Sequence, residues 1–386
     1  MNAAARFVSE DVPRVALELE PIREKLLNGR RLSREDGLTL FHTPDLPGVG
    51  ALAQWSACRR HQRRVFYVVN GHINYSNFCT LACTFCSFFR RKDKDRRAGG
   101  YEMGVEDVLR CAGEIAAAGA TEVHIVGALH PDFPFSYYTD LLKGIRQRHP
   151  RIGLKCFTAI EIYHISTLAK LSPGETLRAL KEAGLDTLPG GGAEVLDDTV
   201  RGKICSDKEG SAQWLDLHRQ AHRLGIRSNA TLLFGHVENF SHRVEHLLKL
   251  RELQDETGGF LAFVPLSYHP EHNALNIEHG PSALDELRTC AVSRLLLDNF
   301  PHVKAYWIAL SPPLAQVALA YGASDFDGTV LQEKIYHMAG AQTPQALAAA
   351  DLQRLIREAG CEPVERDHLY RRVERGAGGP LDWRVS

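Results

Sequence analysis

The sequence predicts an α/β protein built on an eight-stranded parallel barrel, (β/α)8, with a helical leader before it and a helical extension after it. Three observations carry this. Over residues 63–330, short runs rich in β-branched and aromatic residues alternate with amphipathic helical runs, the rhythm of parallel strands joined by crossover helices. Nothing hints at a reversal of strand order, which favours a closed barrel of the TIM type over an open doubly wound sheet. Nearly every strand run is followed by glycine, histidine, cysteine or acidic residues, as in barrels whose chemistry gathers where the strands end. At 386 residues the chain holds a barrel of roughly 250 residues with length to spare for both flanking segments.

The elements follow in order. Residues 1–62 read as a polar helical leader, with Ser33 capping a helix whose opening Arg34-Glu35-Asp36 places acids at the positive end of the helix dipole. RVFYVVNGHINYS (64–76) is the first strand, and it delivers a cysteine-bearing loop. A helix over 105–120 stops at Gly119, and TEVHIVGALHP (121–131) is a strand running into a turn. YYTDLLKGIRQRHP (137–150) is a helix and IGLKCFTAIE (152–161) a strand. Ser172-Pro173 opens the next helix, with Glu175 at the capping-box position and Gly184 as the stop. LDTLPGGGAE (185–194) is a strand entering a glycine loop. Helices over 211–226, 243–259 and 282–300 then alternate with strands SNATLLFGH (228–236), FLAFVPLSYHP (260–270) and HVKAYWIAL (302–310). LAQVALAYGA (314–323) and FDGTV (326–330) complete eight alternations. Residues 331–386 form the C-terminal helical extension, where Thr343-Pro344 opens a helix that ends at Gly360; the glycine-rich stretch 376–379 is expected to fray.

Composition excludes several classes. Forty-six basic residues against 47 acidic ones leave no charge excess for nucleic acid or an acidic membrane surface. No apolar run approaches the roughly 20 residues that span a bilayer. The N-terminus lacks the apolar core of a secretory signal, and six of nine cysteines stand singly, so a reducing cytoplasmic home is expected, with those six as small buried hydrophobes.

The sharpest chemical signal is Cys79, Cys83 and Cys86 in NFCTLACTFCSFF. Thiolates so closely spaced can hold iron in a cluster. A four-iron, four-sulfur cube takes four ligands, so three leave one iron open to a small molecule. Zinc would want a fourth close ligand; His72, seven residues upstream, lies in a strand. Other strand-end residues are Gly127-Ala128-Leu129-His130, Thr158 and Glu161, Pro189-Gly190-Gly191-Gly192-Ala193-Glu194, Asn229, Gly235-His236 and Tyr268-His269-Pro270-Glu271. The glycine run lacks G-x-G-x-x-G spacing and is not read as a dinucleotide site. His242, Glu245 and His246 match the inverted zinc-protease pattern H-x-x-E-H, yet lie on an outer helix with a solvated polar face; His218 and His222, four apart on the preceding helix, are likewise expected at the surface. His130, His236 and His269 suit packing or function equally, and Arg90-Arg91-Lys92 reads as a solvated turn or an anion site.

The spacing C-x3-C-x2-C, with Phe85 before the last cysteine, resembles the signature loop of radical S-adenosylmethionine (SAM) enzymes. With GALHPDFPFSYY, KCFTAIEI, LDTLPGGGAEV, SNATLLFGH, RELQDETGGF and the region of YHPE, residues 65–370 resemble the aminofutalosine synthases of the futalosine route to menaquinone. The dehypoxanthine futalosine cyclases and the halves of deazaflavin (FO) synthase share the cysteine loop and the PGGGAE-like run, so HPDFPFSYY, NATLLFGH and RELQDETGGF are what point to the synthases. The resemblance implies a radical SAM barrel whose 4Fe-4S cluster is held by Cys79, Cys83 and Cys86. It places Phe85 beside the adenine of SAM, Gly127 and Ala128 at its ammonium, and Glu194 at its ribose; Ala128 stands where many relatives carry a second glycine. It further implies a cytoplasmic transferase for which SAM is a co-substrate. The adenosyl radical adds to 3-[(1-carboxyvinyl)oxy]benzoate, and rearrangement with decarboxylation gives 6-amino-6-deoxyfutalosine and methionine. A flavodoxin or ferredoxin is the implied electron donor. No acid or base residue is implied, and His130, His236, His269 and Arg90 stay open as partners for the substrate carboxylates. The cyclase or FO-synthase-like reaction is the alternative, and a non-enzymatic iron–sulfur carrier a third, disfavoured because carriers cap every iron.

Overall fold

The computed structural model describes residues 13–95 and 98–386, so the first part of the expected leader, residues 1–12, lies outside the described residues. The leader contributes α1 (Glu20–Leu27), α2 (Arg34–His42) and α3 (Leu46–His61). Ser33 caps α2 as expected: its Oγ accepts from the Asp36 N–H at 3.2 Å, and Asp36 takes the Ser33 N–H at 2.7 Å.

The first strand run divides after Val68. β1 (Arg64–Val68) leaves the barrel wall and β2 (Asn70–Ile73) begins it. The alternation then runs α4 (Val105–Ala117), β3 (Glu122–Ile125), α5 (Phe135–Arg148), β4 (Gly153–Cys156), α6 (Ala159–Ala169), α7 (Pro173–Ala183) and β5 (Thr187–Leu188). It continues with α8 (Asp198–Ile204), α9 (Ser211–Arg223), β6 (Arg227–Phe234), α10 (Phe240–Thr257), β7 (Phe260–Ser267), α11 (Ala283–Leu296) and β8 (His302–Val303). α12 (Trp307–Leu310) and α13 (Pro312–Ala318) precede β9 (Asp325–Gly328). Strands β2 to β8 form one curled seven-stranded parallel sheet in chain order. The eighth place is taken by β9 and the residues after it, through single bridges from Lys304 to Asp325 and from Gly71 to Leu331. Asn70 fastens that seam: Thr329 Oγ1 donates to its carbonyl at 2.7 Å, and Val330 N–H donates to its Oδ1 at 3.0 Å.

Register decides what faces the interior. His72 pairs with His124 and His124 with Lys155, so these three share the inner face of adjacent strands. The alternate residues Val123, Ile125, Leu154 and Cys156 lie buried between the sheet and its helices. α4 covers them with Val108, Leu109, Ala112 and Ile115.

Two expectations about outer-helix histidines are corrected. His218 and His222 are not surface residues. They bond one Ser228 hydroxyl at 2.9 and 2.8 Å, because this face of α9 packs on β6. A side chain at Gly259 would meet the His222 ring at 2.0 Å, so the glycine makes that packing possible. In the H-x-x-E-H stretch, His246 points inward and accepts the Leu196 N–H at 3.0 Å, while Glu245 pairs with Arg34 outside. The three residues cannot share an ion.

After β9 come α14 (Ile335–Met338), α15 (Ala349–Glu358), β10 (Glu362–Glu365), β11 (Val373–Arg375) and β12 (Trp383–Val385). The last helix starts five residues later than Pro344 would set it, and strands join it. β10 pairs in parallel with β1, which also pairs with β9. The glycine stretch expected to fray is instead the turn of a β11–β12 hairpin, held where Gly378 N–H donates to Asp382 at 2.8 Å. β10 carries Arg366 to the closed end of the barrel. Its Nε donates to Asp325 at 2.7 Å, and its Nη1 lies 3.7 Å from Glu122. Arg366 is fully buried, so losing it leaves Asp325 without its cation away from water, while Glu122 keeps Lys155. Arg366→Leu is expected to lower stability by about 3–5 kcal/mol in urea denaturation followed by circular dichroism.

Candidate active site

The loop after β2 is drawn across the open end of the barrel by backbone hydrogen bonds. Cys79 N–H donates to the Arg90 carbonyl at 3.0 Å, Thr80 N–H to Leu129 at 3.0 Å, and Thr84 N–H to Ile204 at 3.0 Å. Arg90, Arg91 and Lys92 prove to be clamps on this loop. Arg90 donates to the carbonyls of Ser87 and Phe89 at 2.9 and 2.8 Å, and Arg91 to that of Thr80 at 2.9 Å. Lys92 bridges Glu102 and Asp132, both at 2.8 Å. Arg90 therefore has no reach to spare for a substrate carboxylate.

Cys79, Cys83 and Cys86 line the mouth of a cavity of about 330 Å³ that descends into the barrel. All nine cysteines are free; of the six single ones Cys156, Cys205 and Cys290 are buried, and Cys58, Cys111 and Cys361 half-buried. Burial pushes the three loop thiols above their ordinary value, and the Lys208 ammonium pulls them back down. Leu81 N–H points at the Cys79 sulfur from 3.4 Å. Among the described residues, no three His, Cys, Asp or Glu side chains converge on a point that one metal ion would occupy. A soft three-thiolate set spread around a cavity mouth, with an N–H and an ammonium facing the sulfurs, fits a cluster better than a single zinc ion.

Lys208 joins two of the expected site residues. Its Nζ donates to Glu194 at 2.5 Å and stands 5.0 Å over the Phe85 ring. Glu194 ends the glycine loop in a left-handed conformation, φ 45°, and Lys208 keeps its buried carboxyl below the usual value against the upward push of burial. The loop lies flat on β6: a Cβ at Gly190 would sit 2.7 Å from the Ala230 backbone. Lys208 follows a short helix in a run without motif, and only its position in space gives it meaning.

Gly127 and Ala128 also reach the cavity. Gly127 lies against Tyr75, whose ring a Cβ would meet at 2.6 Å, and it donates its N–H to Glu161 at 2.9 Å. Glu161 further accepts from Tyr75 Oη at 2.8 Å and Thr158 N–H at 2.7 Å, and burial pushes its carboxyl up to about 6. That network shapes the loop. The strand-end histidines separate clearly. His130 stacks on Phe133 at 3.7 Å and bonds Glu102 at 2.6 Å, and His236 bonds the Leu233 carbonyl at 3.0 Å; neither lines the cavity. His269 does, with its Nε2 3.1 Å from the Ala309 carbonyl.

The floor of the cavity was missed by sequence reasoning. His72, Glu122, His124, Lys155, Lys304 and Asp327 meet there from strands β2, β3, β4 and β9 and from the residue after β8. Lys155 donates to Glu122 at 2.5 Å, and Lys304 pairs with Asp327. Burial pushes the Lys155 ammonium down to about 8. The one available signal was polar residues at alternate positions inside otherwise apolar strands.

Comparison with known proteins adds to this geometry. The Radical SAM superfamily model matches residues 73–250, and the CofH/MqnC C-terminal region matches residues 257–377. The chain is 47% identical to the aminodeoxyfutalosine synthase of Thermus thermophilus, over 92% of this chain and 96% of that protein. It is 41% identical to the aminodeoxyfutalosine synthase of Streptomyces coelicolor, over 90% and 92%. Against the cyclic dehypoxanthine futalosine synthase of Halalkalibacterium halodurans the identity is 34%, over 92% and 95%. The crystal structure of methylornithine synthase superposes with a TM-score of 0.71, covering 88% of this chain and 96% of that one at 17% identity, which speaks to fold.

The thiolate assignment has a direct test. After anaerobic reconstitution, Cys83→Ala is expected to lose the visible absorbance of the cluster and all turnover, with the far-ultraviolet spectrum unchanged. Retention of both would show that another group holds the iron.

Proposed function

We propose that this chain, which belongs to the radical SAM superfamily and within it to the aminodeoxyfutalosine synthase family, joins the adenosyl group of SAM to 3-[(1-carboxyvinyl)oxy]benzoate. The products are 6-amino-6-deoxyfutalosine and methionine, with loss of the enolpyruvyl carboxyl group. The observation that carries this reading is the higher identity to two synthases than to the cyclase, over nine-tenths or more of this chain.

Cys79, Cys83 and Cys86 would hold the cluster, which when bound would supply the electron for reductive cleavage of SAM. The chain's own residues do the rest by position. Phe85 offers a flat apolar face to the adenine, and Glu194 a carboxylate to the ribose hydroxyls, with Lys208 keeping it ionised. The loop at Gly127 and Ala128 turns backbone toward the amino-acid end of SAM. Ile160, Leu233, Val264 and Leu266 line the middle of the cavity and exclude water from the reacting carbon. Small-molecule binding in a closed barrel suits a reaction whose reactive carbon would otherwise attack any neighbouring C–H bond. A flavodoxin or ferredoxin is the expected electron source, in the reducing cytoplasm.

Anaerobic incubation with SAM, dithionite and the enolpyruvyl benzoate, read by mass spectrometry, is expected to give the adenosyl adduct. Free 5′-deoxyadenosine as the sole nucleoside product would sink the synthase reading. Glu194→Gln is expected to weaken SAM binding about tenfold in equilibrium dialysis, with iron content unchanged, because the ribose loses a charge-assisted acceptor.

A further inference from the structure

Every ammonium lining the cavity is already matched. Lys155 is held by Glu122, Lys304 by Asp327 and Lys208 by Glu194. His269 is bonded to a carbonyl. Among the described residues, the other imidazoles that line the cavity are His72 and His124, and the buried Nε2 of His72 has no hydrogen-bond partner. Their rings face each other from β2 and β3, 4.4 Å between centroids and tilted by 51°. His72 is 7% exposed, and its Nε2 is fully buried with no partner. A polar nitrogen unmatched at this depth destabilises the empty protein, so the open His72 nitrogen beside the facing His124 ring marks a place that a ligand completes.

On the reading above, the substrate carries two carboxylates into a chamber that holds no spare cation. We propose that the facing imidazoles of His72 and His124 are the receptor for one substrate carboxylate, and that the pair takes up one proton from solvent as the carboxylate enters.

The empty pair is set for this. Burial holds both imidazoles below their ordinary value, so each is neutral at pH 7, with one N–H to give and one nitrogen able to accept a proton. The surrounding field is mixed. Glu122 on β3, Asp327 on β9 and Glu333 beyond it favour a proton on His72, and Lys155 on β4 opposes it. His124 feels Glu122 and Asp327 in its favour, with His72 and Lys155 against. Lys304, beyond β8, is neutralised by Asp327. A carboxylate seated at the rings adds negative charge at contact distance and raises the imidazole pKa. The carboxylate itself stays ionised, since its ordinary pKa is about 4. Binding therefore draws a proton, and it weakens as pH rises through the raised imidazole value.

Oxidised, cluster-loaded protein holding SAM, with no reductant, binds substrate without turnover. Titration calorimetry with 3-[(1-carboxyvinyl)oxy]benzoate, in buffers of differing ionisation enthalpy, counts the protons taken up. Near pH 7 the expected result is close to one proton per ligand, with affinity falling as pH is raised. The double variant His72→Gln, His124→Gln keeps amide N–H donors but cannot charge. It is expected to lose the proton uptake and to bind about tenfold more weakly, with cluster absorbance unchanged. Wild-type binding without proton uptake, or uptake that persists in the double variant, overturns the inference and leaves the synthase reading standing wherever wild type still forms product. Wild type that cleaves SAM yet fails to bind this ligand overturns the synthase reading and this inference with it.

Discussion

A charge taken out of water has to be matched inside the protein, and the interior of this barrel is organised around that requirement. Three ion pairs occupy it: Lys155 with Glu122, Lys304 with Asp327, and Arg366 with Asp325. Each joins residues from different strands or from the C-terminal segment. The Lys304–Asp327 pair spans the seam of the barrel, so it forms only once the sheet has closed. Asp325 and Asp327 come from the strand that completes the barrel, and Arg366 follows the strand that packs outside it. A buried pair contributes little net stability against an apolar replacement, but a broken one is costly. The network therefore acts as a check on assembly, since only the correctly closed barrel leaves no charge alone.

The same closure sets the two ends of the cavity apart. At the open end, loops after the strands bring thiols, a glycine run and Glu194 together, and Lys208 ties Glu194 to Phe85. At the closed end the strands contribute only inward side chains. The division follows from strand direction in a parallel barrel, where loops at one end are free to vary and the other end is spent on stability. What is unusual is that the floor stays polar within reach of the cavity instead of filling with branched apolar layers.

How much of this the sequence displays depends on how local the cause is. Ser33 and Ser172 announce helix starts because a cap and its partner lie three residues apart, and both form capping boxes. The cysteine triplet is legible for the same reason. The floor is not, because His72, His124, Lys155 and Lys304 acquire meaning only through the register of strands far apart in the chain. Surface placement of His218 and His222 fails because helical spacing shows which residues share a face but not that Gly259 makes room beneath it. The tail around Gly378 reads as free because its glycines mask a short hairpin, whose turn Asp382 holds by accepting the Gly378 N–H. Splitting of the first strand at Val68 has no local signature either; it reflects competition between β9, β10 and the barrel wall for pairing.

An anionic substrate could have been met by a free lysine on the floor, and the structure offers a reason why it is not. An unpaired ammonium this deep would stay desolvated throughout the empty state, when nothing offsets the penalty. It would either lose its proton, as the downward push on Lys155 already indicates even with a carboxylate at 2.5 Å, or admit water to stay charged. Water at the floor would lie directly below a reacting carbon that has to be kept dry. A neutral imidazole pair avoids both outcomes. It is less costly to bury than an ammonium, it presents N–H groups to whichever anion arrives, and it becomes cationic only while that anion is present. The counter-charge is then supplied by the binding event itself, in a chamber whose permanent charges already cancel.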